Sequence, residues 1–183
     1  LSLEYHRHFT HSLAFIPIGG VLCAIFFYLI FRKRWQLSLK QSLWWCILGY
    51  GTHALLDACT SYGTRLYWPF SDQRVAWDTI SIIDPLFTLP LLVLLLLAAF
   101  LRRRRYNYFA LSWLTLYMSI GLIQHERAVA IGEQIAKSRN HNPAIISAKP
   151  SFGNIIVWKT IYEENERFYI DAVKPTLNKP VIW

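Results

Sequence analysis

His53 and Asp57 stand four residues apart within the stretch Gly49–Gly63, so on a helix both point from one face. An imidazole and a carboxylate at the end of an apolar, aromatic run are costly to place without a partner. That partner can be another side chain, a proton or a metal ion. Further groups of the same kind occur elsewhere: His6, His8 and His11 open the chain, and Asp84 stands directly before Pro85. Imidazoles and carboxylates together suit zinc, manganese or iron, with about four ligands expected for zinc. A hydrolytic site keeps one position for water, whose pKa the metal lowers to about 7. The expected metal ligands are His6, His11, His53 and Asp57, with zinc the expected ion and manganese the alternative. Asp84 is either a further ligand or a carboxylate that holds an imidazole tautomer. Arg7 is placed to bind an anionic substrate or a developing oxyanion, so Arg7 and Asp84 are the catalytic candidates.

Simpler roles stand beside these. His53 and Asp57 could bridge each other as an ordinary helical pair. Asp84 could be only the N-cap of a helix opened by Pro85. Thr10 and Ser12 could cap the first helix, His8 and His125 read as surface histidines, and Asp72 and Asp78 read as solvated loop acids.

The elements that must position these groups are apolar. Of 183 residues, 54% are hydrophobic and only 16% charged, and the mean hydropathy is +0.27. Charge is absent from Leu13–Phe31 over 19 positions, from Pro85–Leu101 over 17 and from Tyr106–Gln124 over 19. A bilayer span needs roughly 20 apolar residues. With Leu39–Ala58 as a fourth segment, the pattern predicts an all-α polytopic membrane protein with about four transmembrane helices. After Gln124, His125–Lys137 reads as an amphipathic helical extension that Asn140–Pro143 terminates. Two β-branched and aromatic runs, Asn154–Tyr162 and Arg167–Val173, flank Glu163–Glu166 and predict a small extramembrane β-hairpin. The expected organisation is a transmembrane helical domain at 1–124, an amphipathic helix and linker at 125–149, and the hairpin segment at 150–183.

The net charge of +8 is concentrated in Arg32–Arg34 and Arg102–Arg105. Each cluster abuts an apolar segment, where basic residues mark the cytoplasmic side and meet anionic lipid. Membrane lipids are therefore the expected partners, and no direct nucleic-acid binding is expected. The three cysteines, Cys23, Cys46 and Cys59, form no C-x-x-C pair and read as packing residues. With the basic clusters cytoplasmic, the starts of the first and third helices and the end of the second share the opposite face. Those ends carry His6, His8 and His11, then Asp84, then His53 and Asp57. A multi-pass membrane protein with an extracytoplasmic site follows.

Four motifs carry a resemblance: His6-Arg7-x-Phe9-Thr10-His11-Ser12, then Gly51-x-His53 through Asp57, Thr60 and Gly63, then Trp68-Pro69-Phe70, then Ile83-Asp84-Pro85. Together they resemble the bacterial YdjM-like family, described as LexA-binding, inner-membrane-associated, metal-dependent hydrolases. The resemblance runs from about His6 to Leu101, and Pro150-x-Phe152-x-Asn154 with Trp158 is similar to the extramembrane segment of longer members. It implies a LexA-type repressor as protein partner. Members usually begin with a further segment bearing Pro-Asp-x-Asp, which would supply an early carboxylate ligand, so residues upstream of Leu1 are expected. His8 stands where the family tends to have Gly.

The expected function is a membrane-bound metal-dependent hydrolase that acts on an ester or phosphoester, a lipid-derived one included, through metal-activated water. The alternative is a non-catalytic inner-membrane protein whose His/Asp cluster is structural and which binds a protein partner.

Overall fold

A computed structural model describes residues 9–176 and 180–182. A 3-10 turn, Phe9–His11, leads into helix α1 (Ile16–Trp35), followed by α2 (Leu39–Ala58), α3 (Pro85–Leu101) and α4 (Arg105–Ser138). Four strands follow: β1 (Ile146–Pro150), β2 (Trp158–Glu164), β3 (Arg167–Lys174) and β4 (Val181–Ile182). The chain divides into two compact units, Leu1–Trp77 and Asp78–Trp183.

In the first unit, α1 and α2 form a hairpin of helices. Gln36 ends α1 in the left-handed conformation, and Ser38 opens α2. The Ser38 hydroxyl accepts from the Gln41 N–H while the Gln41 carboxamide accepts from the Ser38 N–H. This reciprocal capping box satisfies two orphan donors at once. The helices approach closely because α1 is small where they cross. A Cβ on Gly20 would lie 2.9 Å from the Ile47 Cα, and one on Gly19 would lie 2.5 Å from the Tyr50 ring. The Ser42 hydroxyl, buried at the same seam, donates to the Ala24 carbonyl at 2.8 Å.

The segment after α2 folds back on the same unit. Thr64 and Val75 exchange backbone hydrogen bonds of 2.9 and 2.8 Å. The Arg74 guanidinium lies 4.8 Å from the centre of the Tyr62 ring, and exposed Asp72 pairs with Arg65 at 2.9 Å. The Leu13 N–H donates to the Leu66 carbonyl, and the Trp77 N–H to that of Ala58.

In the second unit, Asp84 caps α3 by accepting from the Phe87 N–H, and α4 packs on one face of an antiparallel sheet ordered β1-β2-β3-β4. The sheet turns Ala148, Trp158, Thr160, Tyr162 and Val173 inward, each at most 2% exposed, with the period-2 alternation of a one-sided sheet. At the end of α4, Arg139 holds the nearly buried Asp171 carboxylate through two N–H donors, at 2.8 and 2.6 Å. Those bonds, with one to the Tyr162 hydroxyl, raise the guanidinium well above its ordinary range.

The four-span expectation is overturned. Among the described residues, one helix, α1, is both long and apolar enough to cross a membrane. The uncharged runs misled because uncharged is not apolar. α2 has 20 residues but includes Lys40, Gln41, His53 and Asp57. α3 is strongly apolar but has only 17 residues, with Pro90 inside, at the short end of the roughly 17–25 a span uses. The 34-residue α4 mixes Asn107, Ser112, Thr115 and Ser119 into its first half, and its charged second half packs on the sheet. The chain is not all-α either. The expected hairpin is β2–β3, within a four-stranded sheet whose first strand already begins at Ile146.

Candidate metal centre

Three of the predicted ligands meet in the first unit. Asp57 lies in the last turn of α2, and its Oδ2 is 3.2 Å from His11 Nε2 and 3.6 Å from His53 Nε2. The two imidazole centres are 5.2 Å apart. One ligand atom from each residue can be chosen so that all lie within 4.8 Å of one another. Zinc bonds of about 2.0–2.2 Å at tetrahedral angles set ligand atoms about 3.3–3.5 Å apart. The two contacts to the carboxylate bracket that spacing, and the third separation is at most 4.8 Å, so the group could hold a small divalent ion once the imidazoles close on it.

Each side chain is placed by local structure. His53 and Asp57 share a face of α2 through their four-residue spacing. His11 comes from the 3-10 turn, which is pinned at several points. The buried Ser12 hydroxyl donates to the Phe9 carbonyl and accepts from the Phe15 N–H. The Tyr50 hydroxyl, on α2, donates to the Thr10 carbonyl at 2.8 Å. The Phe9 ring meets Phe15 edge-on and lies 5.9 Å from Trp68.

The Thr10 hydroxyl contacts His11 Nδ1 at 2.9 Å. With the proton on Nδ1, the ring donates to Thr10 and presents the Nε2 lone pair towards Asp57, the tautomer a metal requires. Sequence reasoning assigned Thr10 a capping role only. Its adjacency to His11 was the available signal, since a hydroxyl beside a candidate ligand can orient the ring.

Access is graded across the group. The Asp57 and His11 side chains are 13% and 20% exposed, whereas that of His53 is 63% exposed. The carboxylate is thus sheltered behind two imidazoles, one of which opens to the surroundings. The Thr60 hydroxyl donates to the Asp57 carbonyl at 2.8 Å and helps to finish the helix at this point.

His6, Arg7 and His8 lie outside the described residues. Asp84 belongs to the second unit, where it is 3% exposed. Its Oδ1 caps α3, and its Oδ2 accepts from the Tyr117 hydroxyl at 2.8 Å. Asp78, expected to be solvated, is instead buried.

A family model described as YdjM inner membrane protein matches residues 1–128, more than half of the chain. The chain belongs to the YdjM inner membrane protein family. Two relatives align over parts of their length. The uncharacterized protein YfhP of Bacillus subtilis (strain 168) is 31% identical over 83 residues, 45% of this chain and 24% of YfhP. The inner membrane protein YbcI of Escherichia coli (strain K12) is 32% identical over 81 residues, 42% of this chain and 44% of YbcI. This chain therefore spans less than half the length of either relative. No solved structure matches. Membership in the YdjM family agrees with α1, the helix whose length and hydropathy suit a membrane crossing.

Proposed function

We propose that this YdjM-family protein is a membrane-bound hydrolase of an ester or phosphoester that uses a divalent metal, zinc by preference. The observation that carries this reading is the placement of Asp57 Oδ2 against the Nε2 atoms of both His11 and His53. Two imidazoles and a carboxylate are the donor set of hydrolytic zinc sites, which leave a fourth position for water or substrate. A bound ion there supplies Lewis-acid polarisation of the scissile oxygen and acidifies water.

The chain's own groups divide the work. Asp57 brings negative charge that offsets a cation, Thr10 fixes the tautomer of His11, and exposed His53 forms the side that substrate approaches. His6, five residues before His11, is the proposed further ligand, the water then taking a fifth position, and Arg7 the proposed cation for an anionic substrate. Asp84 serves its helix cap and Tyr117 and has no part in this reading. With Arg32, Lys33 and Arg34 in the last turn of α1 kept cytoplasmic by the positive-inside rule, the site at the other end of that helix faces the extracytoplasmic side.

The test is hydrolysis by the purified full chain on panels of ester and phosphoester substrates, with added zinc, with chelator, and in Asp57→Ala. Zinc-dependent turnover that the chelator and the substitution both abolish is expected. Equal turnover in chelator and zinc would refute the metal-dependent reading.

A further inference from the structure

A cleft of about 350 Å³ lies along the α1–α2 hairpin, walled by Cys23 and Phe27 of α1 and by Trp45, Cys46, Gly49 and Tyr50 of α2. His53 completes it. The α2 residues follow one helical stripe, so from Trp45 to His53 the cleft runs about 12 Å along the axis at 1.5 Å per residue. Its wall is apolar until the final residue, and that residue is the exposed imidazole of the metal group. The cleft and the candidate centre therefore share His53.

Gly49 keeps this space open. Glycine inside a helix costs about 1 kcal/mol relative to alanine, and in α1 close packing explains it: Gly19 and Gly20 have no room for a Cβ, whereas one on Gly51 of α2 would make ordinary contact with Ile16 at 3.6 Å. A Cβ on Gly49, by contrast, would meet nothing within 4 Å. No packing demand accounts for a glycine there. What its missing side chain provides is open space in front of α2, within the cleft.

We infer that this cleft holds a single acyl chain of a membrane lipid, with the lipid's polar end at His53. A volume of about 350 Å³ is near the low end of ligand pockets, roughly 300–1,000 Å³. That suits one slim chain and not a whole two-chain lipid. One wall, Cys23 and Phe27, belongs to α1, the helix suited to a membrane crossing, and along that wall a chain can enter sideways from the hydrocarbon layer. The substrate class that follows is a monoacyl ester or phosphoester. That last step rests on the proposed hydrolase reading; occupancy of the cleft does not.

The experiment uses the full chain in phosphatidylethanolamine and phosphatidylglycerol vesicles, with a diazirine-bearing fatty acid as photoprobe and crosslinks mapped by mass spectrometry. Gly49→Trp is the plugging variant and Gly49→Ala the mild one; both side chains start in open space, and circular dichroism checks that each variant is folded. Crosslinks concentrated on Phe27 and Trp45–His53, and reduced about tenfold or more by Gly49→Trp but little by Gly49→Ala, are expected from the loss of buried apolar contact. Crosslinks spread evenly over the outer faces of α1 and α2, or unchanged by Gly49→Trp, would overturn the inference. Zinc content measured on the same samples separates the two readings. Localised crosslinks without zinc uphold the cleft and remove the hydrolase, while zinc without localised crosslinks removes the cleft alone.

Discussion

At the scale of single residues, the centre depends on which way an imidazole faces. Thr10 contacts His11 Nδ1, and when the hydroxyl accepts the Nδ1 proton, Nε2 presents its lone pair on the side where Asp57 lies. Partners of this kind typically contribute 10–100-fold to metal affinity. Thr10→Val keeps the shape of the side chain and removes the hydrogen bond, so zinc affinity measured by calorimetry is expected to fall by about that factor. An unchanged affinity would mean that the tautomer is set elsewhere. His53 and Asp57 were legible in the sequence because a four-residue spacing on a helix leaves little choice of direction. His11 was legible as a residue type, but its orientation depends on a hydroxyl contact and on the Tyr50 bond to the Thr10 carbonyl, 40 residues away in sequence. No local pattern encodes that contact. Asp84 met the chemical criteria equally well, yet both its oxygens serve α3 and Tyr117. A carboxylate before a proline carries the same sequence signal for a cap as for a ligand.

At the scale of elements, the α1–α2 crossing is what holds the 3-10 turn in place. Gly19 lies against the Tyr50 ring, and the Tyr50 hydroxyl holds the backbone that carries His11. Gly19→Ala must push the ring aside, an overpacking change that costs about 1–3 kcal/mol. Thermal denaturation in detergent should show a lowered midpoint, and zinc affinity should fall although no ligand is changed. A variant with wild-type stability and affinity would show that the crossing does not position the site. Helix α2 itself was foreseeable: Ser38 and Gln41 form a legible capping signal, and aromatic and apolar residues continue from there to the His/Asp pair. The sheet was only half legible. β2 and β3 flank the visible turn at Glu163–Glu166, whereas β1 ends in a proline and pairs with β2 across seven intervening residues. Its register, Ile146 opposite Tyr162 through Pro150 opposite Trp158, depends on packing against α4 at Gly132.

At the scale of the whole molecule, charge and hydropathy act on different lengths. A basic cluster is a property of a few residues, but a span is a property of about 20 residues, and among the described helices α1 alone is long and apolar enough for one. The orientation of α1 can be tested directly. In intact cells expressing a cysteine-free background, Leu13→Cys should react with a membrane-impermeant maleimide, and Arg34→Cys should react only after lysis. The reverse pattern would place the centre on the cytoplasmic face.

The central claim is that His11, His53 and Asp57 bind a metal ion. The most direct measurement is the zinc stoichiometry of the purified full chain, by elemental analysis after loading and exhaustive dialysis, beside Asp57→Ala. One zinc ion per chain, absent from Asp57→Ala while its circular dichroism stays that of the parent, is the predicted result. Zinc absent from both proteins, or retained equally in both, would contradict it and leave the carboxylate as a bridge between two imidazoles.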